Sequence, residues 1–146
     1  MKTVVFDMHN TIYRFNPVSA KPAGSIKPQL PVQEITGALK TLLDFYHQDY
    51  QVVIVSRNAV NYTVKILQQL LVDYPEDVSQ LLAEIDVLSM KDYGSKSEVK
   101  AWKKALKPYQ QITDIYEDVP EYLQVAGQAA QELGHKPKLH AKVKNN

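Results

Sequence analysis

Residues 4–13 read Val-Val-Phe-Asp-Met-His-Asn-Thr-Ile-Tyr. An apolar, β-branched run stops abruptly at a carboxylate, Asp7. Two residues on stands His9, and two further on Thr11. β-Branched and aromatic side chains suit a buried pleated surface, so residues 2–6 are predicted to form a buried strand. A strand that ends in an acid puts that acid at its C-terminal end. In open α/β sheets this edge is where ligands bind.

The same pattern recurs along the chain. Residues 51–55 are a second apolar run, which stops at Ser56. Residues 85–88 are expected to form a weak third strand, residues 111–116 a fourth that ends in Glu117-Asp118, and residues 138–143 a short fifth. Helices are predicted between them. Residues 33–48 align Ile35, Leu39, Leu42, Leu43 and Tyr46 on one face, and residues 60–72 align Val60, Val64, Leu67 and Leu71. Pro75 ends the second helix, and a short one is predicted over 76–84. Ser95-x-x-Glu98 reads as a capping box opening a helix over 96–106. Pro120 and Gly134 frame another over 120–133.

Residues 14–31 hold Pro17, Pro22, Pro28, Pro31 and Gly24, and read as a long irregular loop placed as a flap over the site. Loops of that length in small domains are usually functional. Strands alternating with helices imply right-handed βαβ units. The expected architecture is α/β: a single domain over 1–146, three layers, a doubly wound parallel sheet of about five strands and no cap domain. The polar ends of the first, second and fourth strands then share one sheet edge.

At 146 residues the chain is long enough for a core of its own. A net charge of +1 points to neither nucleic acid nor membrane as partner. The lysines of the basic segment 136–146 read as a solvated tail rather than a nucleic-acid surface. The absence of cysteine excludes disulfides, thiolate metal sites and a cysteine nucleophile. No apolar run reaches the length of a membrane span, and none before Asp7 looks like a signal segment. A cytoplasmic protein, monomeric or homodimeric, is the expectation.

On residue chemistry alone each polar cluster has two readings. Asp7 is a nucleophile or metal ligand, or else a helix cap or turn residue. In Ser56-Arg57-Asn58, Arg57 offers charge-assisted contacts to a phosphate, or Ser56 or Asn58 caps the next helix. Lys96 serves a site or is a solvated charge. Glu117-Asp118 holds a hard cation or caps a helix through its dipole.

Taken in order, the motif around Asp7, Asn10, Thr11 and Tyr13, then Ser56, Lys96 and Glu117-Asp118, resembles the four motifs of the haloacid dehalogenase-like (HAD) superfamily. The first of these is Asp-x-Asp-x-Thr. The chain is most similar to small capless members of the magnesium-dependent phosphatase type, which share the Ser-Arg pair and Gly-Ser-Lys. The resemblance implies a Mg²⁺-dependent phosphohydrolase that acts through an aspartyl-phosphate. In that scheme Asp7 is the nucleophile. Thr11, Ser56, Arg57, Asn58 and Lys96 bind the substrate, with Lys100 the alternative lysine. Asp7, Glu117, Asp118 and the main-chain carbonyl of His9 hold the metal. The implied substrate is a phosphorylated small molecule or protein whose phosphate protrudes into an open site.

His9 departs from the pattern, standing where the superfamily has its acid/base aspartate. An imidazole can exchange protons near neutrality, but it is bulkier and, when neutral, a poor acid for an alkoxide. Loss of a positioned acid/base typically costs about 10²–10⁴-fold. Three outcomes stay open: a slow phosphatase, an enzyme for good leaving groups, or a module that binds a phosphorylated partner without turnover.

Overall fold

The apolar runs become the strands of one parallel sheet. The computed structural model describes residues 1–15 and 32–143. Its strands are β1 (Thr3–Asp7), β2 (Tyr13–Phe15), β3 (Val32–Glu34), β4 (Gln51–Ser56), β5 (Asp86–Ser89), β6 (Ile112–Tyr116) and β7 (Lys138–His140). Five of them lie in the order β5-β4-β1-β6-β7, every neighbouring pair parallel. The helices are α1 (Ala38–His47), α2 (Val60–Leu70), α3 (Val78–Glu84), α4 (Val99–Leu106) and α5 (Pro120–Glu132).

Because side chains alternate across a strand, a sheet covered on both faces needs apolar residues at successive positions. β1 meets this requirement with five buried residues in a row. Val4, Phe6, Val52 and Ile54 pack with α1, α2 and α3, while Val5, Val53, Val55 and Ile115 pack with α4 and α5. The three-layer α/β arrangement expected from the sequence is therefore present. Among the described residues nothing forms a cap domain.

β1 lies at the centre. The chain builds outward to β4 and β5 on one side, then returns to place β6 and β7 on the other. The gap between β1 and β6 is thus a topological switch point, where crevices form at the carboxyl ends of strands. Asp7 ends β1, and Glu117-Asp118 follows β6 directly.

Several boundaries differ from expectation. The helix predicted over 33–48 begins only at Ala38, because Gly37 adopts φ 83°, which a right-handed helix cannot include. Residues 32–34 are instead a strand, β3, paired antiparallel with β2. Arg14 and Phe15, placed in the 14–31 loop, belong to that ribbon. The rest of the loop, residues 16–31, lies outside the described residues, as does Lys144. The predicted capping box is half made: Ser95 N donates to Glu98 Oε1 (3.1 Å), but Ser95 Oγ accepts from Ser97 N. Glu98 becomes the N-cap, and α4 starts at Val99 rather than at 96.

Candidate active site

Asp7 is 7 % exposed at the end of the central strand, so its charge requires partners. Two are present. Thr11 Oγ1 donates to Asp7 Oδ2 (3.0 Å), and Lys96 Nζ donates to Asp7 Oδ1 (2.6 Å). The turn after β1 supplies Thr11: the amides of Thr11, Ile12 and Tyr13 all donate to the Met8 carbonyl, and Asn10 takes a positive φ of 64° to close it. Thr11 is fully buried, so its hydroxyl orients the carboxylate instead of lining a cavity.

Lys96 is itself only 3 % exposed, and it donates a second bond to Glu117 Oε1 (2.7 Å). Trp102 fixes it from α4: the indole Nε1 donates to the Lys96 carbonyl (2.8 Å), and Nζ lies 5.7 Å from the ring centre. Of the two candidate lysines, Lys96 occupies the carboxylate cluster, while Lys100 is exposed on α4.

Glu117, 1 % exposed, is held on its other oxygen by the Val119 amide (3.2 Å), and its own amide donates to the His140 carbonyl of β7 (3.0 Å). Asp118 is half-buried beside it. Asp7, Glu117 and Asp118 each present an oxygen within 4.8 Å of the others. Three carboxylates face one ammonium. Burial, then repulsion from Asp7, pushes Glu117 up to about 8 despite Lys96. Burial, then hydrogen bonding with and repulsion from Asp7, raises Asp118. Lys96 moves upward too: burial works against its charge, but Asp7 and Glu117 more than offset it. The cluster carries more negative charge than its lysine neutralises. An all-oxygen donor set of this kind suits a hard divalent cation such as Mg²⁺.

Above Asp7 opens a cavity of about 330 Å³. It is lined by Ser56, Arg57 and Asn58 from the end of β4 and by His9, Tyr13 and Phe15. Ser56 Oγ accepts from the Asn58 amide (3.0 Å), while α2 is capped at Ala59, so neither Ser56 nor Asn58 is its N-cap. Arg57 is exposed. The His9 ring lies outside the carboxylate cluster, 5.4 Å from Tyr13 and 5.2 Å from Phe15 between centroids. Among the described residues it makes no side-chain hydrogen bond or ion pair.

The structure thus brings Asp7, Thr11, Lys96, Glu117 and Asp118 into one network, and His9, Ser56, Arg57 and Asn58 to the cavity beside it. Sequence reasoning missed the supporting roles of Trp102, Tyr13 and Phe15. Trp102 had a signal: it is the only tryptophan, six residues past Lys96 on the buried face of the helix.

No protein-family model matches the chain, and no curated protein matches its sequence. Solved structures do resemble it. A HAD-superfamily hydrolase from Ehrlichia chaffeensis superposes with a TM-score of 0.63 at 16% identity, covering 99% of this chain and 93% of that one. The HAD domain of the Legionella pneumophila effector Lem4, in an inactive mutant, gives 0.61 at 15% identity, covering 95% and 84%. The D,D-heptose 1.7-bisphosphate phosphatase of B. bronchiseptica, in complex with magnesium and phosphate, gives 0.52 at 15% identity, covering 95% and 80%. Identities this low establish likeness of fold. The fold of the chain is HAD-like.

Proposed function

We propose that this chain is a Mg²⁺-dependent phosphohydrolase that uses Asp7 as nucleophile on a phosphorylated small molecule or protein. The observation that carries the reading is the carboxylate network at the switch point. Asp7 is fixed at the end of the central strand by Thr11 and Lys96, with Glu117 and Asp118 within reach of one cation. The superfamily to which the fold is similar uses such an aspartate.

In this reading an Asp7 oxygen attacks phosphorus and forms an acyl-phosphate while the P–O bond to the leaving group breaks. Water then attacks the acyl-phosphate, releasing phosphate and restoring Asp7. Lys96 counters charge on Asp7 and on the phosphoryl oxygens. Ser56, Arg57 and Asn58, which line the same cavity, contact the phosphoryl group. Asp7, Glu117, Asp118 and the His9 carbonyl would hold Mg²⁺, which when bound supplies charge neutralisation that one lysine does not. His9 lines the same cavity as Asp7 and is the group nearest in sequence to serve the leaving oxygen and the water.

The environment of His9 also favours a second reading, a module that binds a phosphorylated partner with little turnover. A catalytic imidazole is normally oriented by a hydrogen bond from its second nitrogen. The ring of His9 has aromatic neighbours instead. Hydrolysis of p-nitrophenyl phosphate with Mg²⁺, by wild type, Asp7→Asn and His9→Asp in parallel, separates the two. Wild-type turnover lost in Asp7→Asn supports the enzyme. Turnover only in His9→Asp supports the binding module. Turnover indifferent to Asp7→Asn sinks both.

A further inference from the structure

The carboxylate site leaves a strongly charged surface unused. Lys100, Lys103, Lys104 and Lys107 line a groove of about 460 Å³ between α4 and the C-terminal end of α5, with Val99 and Leu133 as its apolar part. The protein as a whole carries a net charge of only +1, so this cationic face is local segregation, not general basicity. On a helix, residues three and four apart are neighbours. The pairs 100/103, 100/104, 103/107 and 104/107 are therefore all like-charged, an arrangement that works against the helix. Lys100 also lies in the first turn, where the helix dipole disfavours a cation. Within the groove only Lys103 has a counter-ion, Glu132 at 3.2 Å. Lys100, Lys104 and Lys107 have none among the described residues.

We propose that this groove docks an acidic segment of a partner protein. Charge complementarity selects an anionic occupant. Among the described residues the groove offers no aromatic side chain on which a base would stack and no arginine, the features that mark single-strand nucleic-acid channels. Val99 and Leu133 instead suit the aliphatic stems of an extended peptide. The track begins at Lys100, four residues past Lys96, so a docked segment lies on the helix that follows the Lys96 turn. For a phosphohydrolase (this consequence rests on the proposed function) the groove selects phosphoproteins with acidic flanking sequence.

The test uses the full chain and a fluorescein-labelled octaglutamate peptide, followed by anisotropy. Wild type and Asp7→Asn are expected to bind alike, with affinity that falls as salt rises. The double variant Lys104→Glu/Lys107→Glu is expected to bind at least tenfold more weakly, with circular dichroism and p-nitrophenyl phosphate turnover unchanged. Peptide binding equal in the double variant, or absent from wild type, overturns the proposal. So does tighter binding of an eight-residue oligothymidylate through the same lysines, which would assign the groove to nucleic acid. Loss of docking with Asp7-dependent turnover intact counts against the groove alone. Docking without any turnover counts against the phosphohydrolase alone.

Discussion

Lys96 separates two buried carboxylates that would otherwise face each other. Removing one partner of a buried ion pair leaves an uncompensated charge and costs about 3–5 kcal/mol. Lys96→Met is therefore expected to destabilise the protein by roughly 3 kcal/mol at pH 8, near the low end, because Glu117 can take up a proton. At pH 5 Glu117 carries its proton already and the cost should shrink. Urea unfolding at both pH values measures the difference; an equal loss at each would mean that carboxylate repulsion is not the cause. At the same scale Asp7→Asn keeps the shape and the Thr11 contact but removes the proposed nucleophile. Mg²⁺-dependent turnover should fall below detection while Asp7→Asn remains folded by circular dichroism. The sequence could not decide between Lys96 and Lys100. A helix starting at 96 puts both on one face, whereas the observed start at Val99 leaves Lys96 in the preceding turn, free to reach inward.

The turn that delivers Lys96 depends on its neighbour Gly94. This residue has φ 135°, and a Cβ there would lie 3.0 Å from Ala101 Cβ and 3.3 Å from Glu98 Oε1. Backbone in such a region costs a residue with a side chain about 1–3 kcal/mol. Gly94→Ala should lower stability by that amount, as measured by urea unfolding. It should also weaken the proposed Mg²⁺-dependent turnover, because the strain is relieved by moving the segment that holds Lys96. A variant as stable and active as wild type would show that the turn is slack. The central strands of the main sheet were legible because burial on both faces demands unbroken apolar runs, and the first, second and fourth predicted strands ended in polar groups. The β2–β3 ribbon was not. Val32-Gln33-Glu34 is too short to show alternation, and the apolar spacing from Ile35 onward continues the periodicity of α1 back across Gly37. Contacts distant in sequence, such as the Ile35 amide donating to the Ile12 carbonyl, place this segment beside the turn that follows β1. Short local sequence carries no record of them.

At the scale of the molecule, the site exists because three strands end on one edge and the chain reverses its direction of growth between β1 and β6. That convergence was legible from the order of polar-ended runs alone, whereas the excess of negative charge it creates was not, since it depends on burial and distance. The excess has a measurable consequence. Glu117 is raised from its ordinary 4.5 to about 8, so between those values the metal-free native state holds a proton that the unfolded chain releases. Its contribution to stability is full below about pH 4.5 and is lost as pH rises through about 8. Asp118 acts in the same direction. The melting temperature of the metal-free protein should therefore decline from pH 5.5 to 8.5, and the decline should flatten in Glu117→Gln. A divalent cation held by these carboxylates competes with the proton, so stabilisation by Mg²⁺ must grow over the same interval. At a hundredfold excess over Kd it amounts to about 2.7 kcal/mol, roughly 5–10 °C for a chain of this size. Thermal melts with and without Mg²⁺ at pH 5.5 and 8.5, on wild type and Asp118→Asn, measure this directly. A shift larger at pH 8.5 and lost in Asp118→Asn ties the cation to this cluster. A shift equal at both pH values, or retained in the variant, would place Mg²⁺ elsewhere on the protein and remove the electrostatic basis for reading the carboxylates as a metal site.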